Sequence, residues 1–519
     1  MLQRGTTLRA RRGMRHARRV GLALALAAFP FLPACPGRDA RRLEVGLATG
    51  LAHLDPHFSN TISSLEQLAN VFEPLVALDD EMRALPCLAA SWSTPDPTTW
   101  VFRLRPDVAF HDGSALDASD VVFSLTRPRR DSRLEIASFL SSVEGVSARS
   151  PDTVVVTTRE PDALLLANLS FVPIVPAGTT DASFEGRPAG TGPWTVESWA
   201  PGRELRLRRN DRYWGERPAF SGARISFGVS EEEAAKGIEE ERWDVLRSSA
   251  SRVESTVETG RTFTVVRFPN VFLRHLAFDV ARAATPFCPE PSNPFRRREV
   301  REAISLALDR VRIARAADAD AVPASQLVPP AIFGFDPAMP PLPHDRERAR
   351  RLLAAAGYPD GFDVVLHRSG FGGAAEEVKA QLATIGIRVT PELLPGPAFF
   401  AALDERRLSF WIVADGCVTG DALEILLGSF HSPSGSGTGV DNYGAFEDPE
   451  LDRLISAARR EIEPGRRLPL VRRALRTALG TQAWVPLYFS RDSLIVRRTI
   501  ELRPRADGLI RLSDLRLAR

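Results

Sequence analysis

The chain has 519 residues, 44% hydrophobic and 25% charged, an ordinary globular composition with length for more than one core. Its formal charge of +2 arises from Arg4, Arg9, Arg11, Arg12, Arg15, Arg18 and Arg19, which lie in the first 34 residues without any Asp or Glu; the remainder carries 60 basic against 65 acidic side chains, about −5. Such a weakly acidic body, with no basic stripe, argues against nucleic acid as a partner.

The arginine-rich start is followed by the apolar run Val20 to Leu32 and then by Leu32-Pro33-Ala34-Cys35. A membrane-spanning helix needs about 20 apolar residues. This run has 13 and is interrupted by Pro30, so residues 1–34 read as a secretory leader. A small residue directly before a cysteine resembles a lipoprotein cleavage box, in which Cys35 becomes the lipid-bearing first residue; the alternative is an ordinary exported chain cut nearby, with Cys35 incidental. The other cysteines, Cys87, Cys288 and Cys417, are odd in number and widely spaced. They fit one disulfide with a free thiol, or three buried thiols, and give no zinc-type pair.

Leu43, Val45 and Leu47 alternate as in a strand and lead to the turn Leu54-Asp55-Pro56-His57. Residues 59–80 carry Ile62, Leu65, Leu68, Val71 and Phe72 at helical spacing. Trp100 to Arg105 alternates strictly, Val108-Ala109-Phe110 suggests a second short strand, and His111-Asp112-Gly113 is a turn before a helix near Ala118 to Thr126. Trp194, Val196, Leu205 and Leu207 predict a hairpin through Pro201-Gly202, and Thr264 to Phe268 and Leu273 to Phe278 predict strands. The proline-rich stretch Ala283 to Pro294 marks an expected lobe crossing. Glu299 to Arg310 and Arg346 to Ala356 are helical in rhythm, and Phe362 to Thr390 alternates strand, helix and strand. Two amphipathic helices, near Glu450 to Ile462 and Arg466 to Leu479, precede a closing strand, Val485 to Val496.

Three segments carry a resemblance. The first joins Leu88-Ala89-Ala90-Ser91-Trp92, Trp100 to Gly113 and Asp120-Val121-Val122-Phe123-Ser124. The second is Gly190-Thr191-Gly192-Pro193-Trp194 with Leu205, Leu207, Asn210, Tyr213 and Trp214. The third combines Val300 to Ser305, Asp309-Arg310, Asn442-Tyr443 and Pro449 to Ile455. Together they resemble the peptide- and nickel-binding family of bacterial extracellular solute-binding proteins, which includes oligopeptide- and dipeptide-binding proteins.

The resemblance implies an α/β protein of the two-lobed, type II periplasmic-binding-protein fold. Its three domains would include a discontinuous first domain, starting in the linker of 35–57 and continuing through 186–279 and 486–519. The inserted domain would be 58–185, and 280–485 would form the second lobe across a hinge. It further implies a ligand-capturing protein rather than an enzyme, expected to be a monomer without cofactor or metal. Its partners would be a small peptide or similar solute, ABC-importer permease subunits and, through Cys35, the membrane of the periplasm or cell envelope. By the same resemblance, Asn60 and Ile62 would meet ligand backbone, Phe139 would be an aromatic wall, and Trp411, Val413 and Asp415 would form the segment whose aspartate pairs with a peptide amine. Tyr488, beside Phe489, would close the remaining side. After Asp415 the sequence reads Gly416-Cys417-Val418-Thr419-Gly420-Asp421, without the aromatic and proline of the family pattern, so Asp421 is an alternative amine partner.

No Walker A loop, dinucleotide fingerprint, nucleophile elbow or His-Glu-x-x-His occurs. His53 and His57 have metal-like spacing, but Asp55-Pro56 breaks any helix that would unite them. A sensing or docking lipoprotein of the same fold, working without a transporter, remains the second functional class, and a hydrolase the third.

Overall fold

The structure is a computed structural model describing residues 41–518 apart from 248–252, 255–256, 258–259 and 435–436. Residues 1–34, expected to be a leader, and Cys35 lie outside the described residues. Strand β1 (Arg42–Gly46) buries Leu43 and Val45 as the alternation predicts. The turn that follows is locked by chemistry: Arg127 donates to both oxygens of Asp55 at 3.0 and 2.6 Å and to His57 Nδ1 at 3.1 Å, while His57 Nε2 donates to the carbonyl of Pro173 at 2.8 Å. Burial lowers the His57 pKa to about 4, leaving a neutral ring that accepts at Nδ1.

Helix α1 (Ile62–Leu68) is much shorter than the apolar spacing of 59–80 suggests. Asn70 Nδ2 donates to the last carbonyls, Glu66 O and Gln67 O, at 3.2 and 3.3 Å. The carbonyls of Asn70 and Val71 are then drawn out of the helical ladder, accepting from Trp194 N at 3.2 Å and Gly192 N at 3.0 Å. Tertiary pairing thus overrides helical propensity.

A hairpin, β2 (Val76–Leu78) and β3 (Ala84–Pro86), precedes a sheet ordered β4-β5-β7-β6, from β4 (Ala89–Asp96), β5 (Thr99–Leu104), β6 (Val143–Ser150) and β7 (Thr153–Thr158). Trp100, Phe102 and Leu104 point into its core with Val121 and Leu125 of α2 (Ala118–Thr126), which starts in a capping box between Asp117 and Asp120. Val108–Phe110 makes only an isolated bridge from Ala109 to Ala115, because the chain turns at once through Gly113, whose φ is 92°. After α3 (Leu165–Leu169) comes the expected hairpin of β8 (Trp194–Ala200) and β9 (Glu204–Arg209).

The two motifs that open the resemblance meet here. His111 Nε2 donates to Gly192 O at 2.9 Å and its Nδ1 accepts from Gly190 N at 3.2 Å. Buried Glu73 accepts from Thr191 Oγ1 at 2.9 Å, Tyr213 OH at 2.7 Å and Trp214 Nε1 at 2.8 Å. A Cβ at Gly190 or Gly192 would collide with the Val71 carbonyl, so only glycine allows this approach. His111-Asp112-Gly113 is therefore a structural turn.

The main sheet and its longer flanking helices are completed by β10 (Gly222–Ser226), α4 (Glu231–Glu239), β11 (Val245–Arg247), the long β12 (Phe263–Phe278), α5 (Arg298–Ala307), α6 (Arg310–Ala317), β13 (Val322–Pro323), α7 (Arg346–Ala355), β14 (Asp363–Arg368), α8 (Gly372–Ala383), β15 (Arg388–Leu393), α9 (Gly396–Asp404), β16 (Phe410–Gly416), α10 (Pro449–Arg460), α11 (Pro464–Thr481) and β17 (Trp484–Arg497). Glu299 to Arg310 is not one helix, since Asp309 caps a new one by accepting from Val311 N and Arg312 N.

Among the described residues the main sheet has 11 strands in the order β15-β14-β16-β12-β17-β11-β1-β10-β9-β8, with β13 pairing β17. Only β12 and β17 traverse it: β16 pairs with Phe272–Phe278 of β12, and β11 with Leu494–Val496 of β17. The register of β12 on β17 breaks between Pro269 and Leu273, where Asn270 Nδ2 donates to Asp492 Oδ1 at 3.1 Å. The chain thus passes between the two half-sheets inside β12, ahead of Ala283 to Pro294. Two strands with a shared break form the hinge between two lobes. The first lobe has its core around Leu43, Trp194, Leu205 and Phe220; the second has one core on each face of its half-sheet.

Candidate functional site

In open α/β sheets ligands collect at the carboxyl ends of parallel strands. In the first lobe β1 lies parallel to β10 and β11, and beyond its end a crevice of about 320 Å3 is lined by Thr49, Glu66, Gln67, Arg247, Asp492 and Ser493. Arg247 Nη2 bonds Glu66 Oε1 at 2.6 Å. In the second lobe β14 lies parallel to β15 and β16, so the corresponding ends are Arg368, Asp415 and Gly416. Both rims lie beside the β12–β17 break.

Trp411, Val413 and Asp415 fall on one face of β16, as period-2 alternation requires. They line one small cavity of about 20 Å3 with His275, Asp441, Tyr443 and Trp484, room for about one water. Trp411 and Val413 are nearly fully buried and serve as walls, whereas the Asp415 side chain is 22% exposed. One oxygen of Asp415 is engaged by His275 Nε2 at 2.8 Å, and the His275 ring stacks on Trp484 with centroids 3.7 Å apart. Burial, then the charge of Asp415, raises the Asp441 pKa to about 6. Two carboxylates and three aromatic side chains therefore share this corner.

Asn60, ahead of α1, takes Glu135 Oε2 on its backbone N–H at 3.2 Å and donates to Ser138 Oγ at 3.4 Å. That places it beside Phe139, which stacks on Phe171 at 5.0 Å. Ile62 is half-buried as the first residue of α1. Tyr488 lies on the opposite face of the second half-sheet from Asp415, nearly buried, directly across from Arg274 in the β12–β17 register. Asp421 is committed elsewhere: it pairs with Arg467 at 2.9 Å, accepts from Leu423 N at 2.9 Å and is buried. Among the described residues no group of His, Cys, Asp or Glu could hold a metal, and Cys87, Cys288 and Cys417 are free and buried.

Sequence reading missed His275, Asp441, Tyr443 and Trp484 around Asp415, and Arg274 across from Tyr488. One signal was available: Arg274-His275 interrupts the apolar strand Val271 to Phe278, and adjacent polar side chains in a central strand demand a reason. Arg274 has its guanidinium 5.5 Å from the ring of Phe272 and 5.3 Å from that of Phe371.

The lobes also touch away from the hinge. Ala163 N donates to Arg459 O at 3.0 Å, Asp162 lies 3.5 Å from Arg459, and Leu164 is buried in the core that contains Leu451 and Ile455 of α10 and Val471 of α11. Gly420 of the second lobe abuts Met82 at the tip of the β2–β3 hairpin. The lobes are thus closed on one another.

Known proteins share this architecture. The glutathione-binding protein GsiB of Salmonella paratyphi A is 25% identical over 508 residues, covering 90% of this chain and 91% of the relative. The ABC transporter-associated periplasmic binding protein DppA of Helicobacter pylori, in complex with the peptide STSA, superposes with a TM-score of 0.78 at 20% identity over 93% of this chain and 99% of that one. The binding protein AgaA of A. tumefaciens R10, in complex with agropinic acid, gives 0.76 at 23% identity over 92% and 99%. These likenesses establish the two-lobed type II periplasmic-binding-protein fold. The family model "Bacterial extracellular solute-binding proteins, family 5 Middle" matches residues 83–437, most of the chain, and the protein belongs to that family of extracellular solute-binding proteins.

Proposed function

We propose that the chain captures a small peptide-like solute between its lobes and delivers it to the permease subunits of an ABC importer, acting as a monomer without cofactor or metal. The observation that carries this reading is the corner where Asp415 and Asp441 stand among Trp411, Tyr443 and Trp484. Carboxylates framed by aromatic rings favour an ammonium group, such as a peptide amino terminus. Asn60, Ile62 and Phe139 would meet the ligand from the first lobe and Tyr488 from the β17 side. The relatives named for glutathione and solved with a peptide support a peptide-like cargo. The domain division of 58–185, 186–279, 280–485 and 486–519 belongs to the same reading. So does attachment to the membrane through Cys35 after removal of residues 1–34, which Cys35→Ala tests by loss of labelled-lipid incorporation.

Mass spectrometry of solutes retained through native purification identifies the cargo, and saturable change in the fluorescence of the eight Trp residues reports its capture. Asp415→Asn keeps an acceptor for His275 while removing the charge. It should weaken binding of an amine-bearing ligand by roughly 1.5 to 3 kcal/mol. Unchanged affinity removes the amine role from Asp415. Failure of every peptide, sugar and chelate to shift fluorescence or melting temperature overturns capture itself.

A further inference from the structure

The first-lobe crevice beyond the end of β1 is lined by two side chains that each keep a buried polar atom unpaired among the described residues. Ser63, Glu66 and Gln67 fall on one face of α1 at i, i+3 and i+4; that face, the end of β11 at Arg247 and β17 at Asp492 border about 320 Å3. Gln67 is 1% exposed. Its Nε2 donates to Thr49 O at 3.4 Å, which sets the orientation of the amide and leaves Oε1 as a buried acceptor without a donor. The terminal nitrogens of Arg247 are employed: Nη2 donates to Glu66 Oε1 at 2.6 Å and to Gly508 O at 2.7 Å, and Nη1 lies 3.7 Å from Asp492 Oδ2. Its Nε–H is buried as well and has no acceptor.

A buried polar atom left unpaired forfeits its hydration, so a donor and an acceptor retained in one crevice point to an occupant that satisfies both. Few groups can. A carboxylate accepts but does not donate, so it would leave Gln67 Oε1 unpaired and would also approach the carboxylates of Glu66 and Asp492. An ammonium donates but does not accept, so it would leave Arg247 Nε unpaired and face the guanidinium charge. An apolar group meets neither atom. A neutral carboxamide carries an acceptor oxygen beside a donor nitrogen. Leu47, Ala48, Val229 and Ala234 supply aliphatic wall for its stem, and among the described residues no aromatic side chain lines the crevice, so it offers no platform on which a ring would stack. The space far exceeds that of one bridging water and admits a side chain whole.

We propose that this crevice holds a side-chain carboxamide of the captured solute, its oxygen accepting from Arg247 Nε and its nitrogen donating to Gln67 Oε1, which makes the protein selective for glutamine-like groups over charged or apolar ones of the same length. This rests on the capture reading and adds what the first lobe recognises. The same guanidinium faces Asp492, whose Oδ1 accepts from Asn270 Nδ2 at 3.1 Å in the register break, so the occupant is held by a side chain that reaches the hinge.

The test uses the purified protein and di- and tripeptides that differ in one side chain only, which is glutamine, glutamate, methionine or the hydroxyl-bearing homoserine, with affinity read by calorimetry. At one peptide position the wild type should bind the glutamine form roughly 10- to 100-fold more tightly than the glutamate and methionine forms. Gln67→Met keeps the volume and removes the acceptor, whereas Arg247→Lys keeps a cation for Glu66 and removes the Nε–H. Each should bring glutamine and methionine forms to within about threefold of each other, a ratio that damage to the fold alone leaves unchanged. If neither variant folds, the wild-type ratios decide. Equal binding of glutamine, glutamate and methionine forms by the wild type at every position overturns the proposal and leaves capture intact, water alone then satisfying the two atoms. Tighter binding of homoserine than of glutamine overturns the carboxamide assignment, and so does the full glutamine preference persisting in both variants. Absence of saturable binding by every member of the panel overturns the capture reading and this one with it.

Discussion

Leu164 is the side chain on which the balance between open and closed lobes should depend most. It follows β7 in the first lobe yet is 6% exposed within the core of α10 and α11 in the second. Burying a leucine contributes about 2 kcal/mol. The adjoining bond from Ala163 N to Arg459 O adds roughly 1 kcal/mol. The exposed pair of Arg460 with Glu160 adds close to nothing. Leu164→Ala keeps the backbone bond and removes most of the apolar burial, a shift of about 2 kcal/mol, or roughly 30-fold, toward the open form. Small-angle scattering of ligand-free protein should show a larger radius of gyration, and ligand affinity should fall by up to about 30-fold because capture must first restore closure. Leu169→Ala, inside the core of the small sheet, should lower the melting temperature without changing the radius. If Leu164→Ala leaves both radius and affinity as in the wild type, the segment 160–164 is not a closing contact and the reasoning fails.

Glu73→Ala strands Tyr213 OH, Trp214 Nε1 and the Thr191 hydroxyl in the interior, and thermal or urea unfolding should report a loss of roughly 3 kcal/mol or more. Burial raises the pKa of Glu424 from 4.5 to about 7, although Thr419 N and Oγ1 bond it at 2.8 and 2.7 Å. A carboxyl raised in the folded state binds protons that the unfolded chain has released, so its contribution is complete below about pH 4.5 and lost as pH rises through 7. Glu424→Gln should therefore flatten the decline of melting temperature across that window, leaving the part due to the other raised carboxyls, Glu66, Glu73, Asp421 and Asp441. Burial pushes the Cys288 thiol up to about 11 and the Cys87 and Cys417 thiols upward as well, so a thiol-reactive dye should label none of the three in folded protein and all of them in denaturant.

Local rules made much of the fold legible. Alternation at Trp100 to Leu104 and at Trp194 to Leu207 located strands whose inward faces form cores, and the strands expected at Thr264 to Phe268 and Leu273 to Phe278 are the two arms of β12 on either side of its register break. The amphipathic spacing around Leu451, Ile455 and Val471 located α10 and α11. What failed did so where distant backbone intervened, as at α1, whose continuation is diverted by the strand beginning at Trp194. The site was legible in part. Trp411, Val413 and Asp415 share a cavity because alternation puts them on one face, but the residues that surround them come from β12, β17 and the loop near Asp441, and register across a sheet leaves no trace in spacing. Asp421 illustrates the limit: the same residue type, six positions on, is consumed by Arg467 from a helix far along the chain.

The junction of His111 and Glu73 with Gly190, Thr191, Gly192, Tyr213 and Trp214 has a mechanical meaning. It pins the inserted sheet to the first lobe through a neutral imidazole and a buried carboxylate, so three domains reduce to two rigid shells with one angle between them. The far end of the inserted sheet, at 160–164, then acts as a lever arm. A displacement of that tip against α10 becomes a rotation at Asn270 and Asp492, where the shells share only β12 and β17. The residues of this junction, which carry much of the resemblance to other solute binders, bond to one another and keep a clamp from having a second, useless joint.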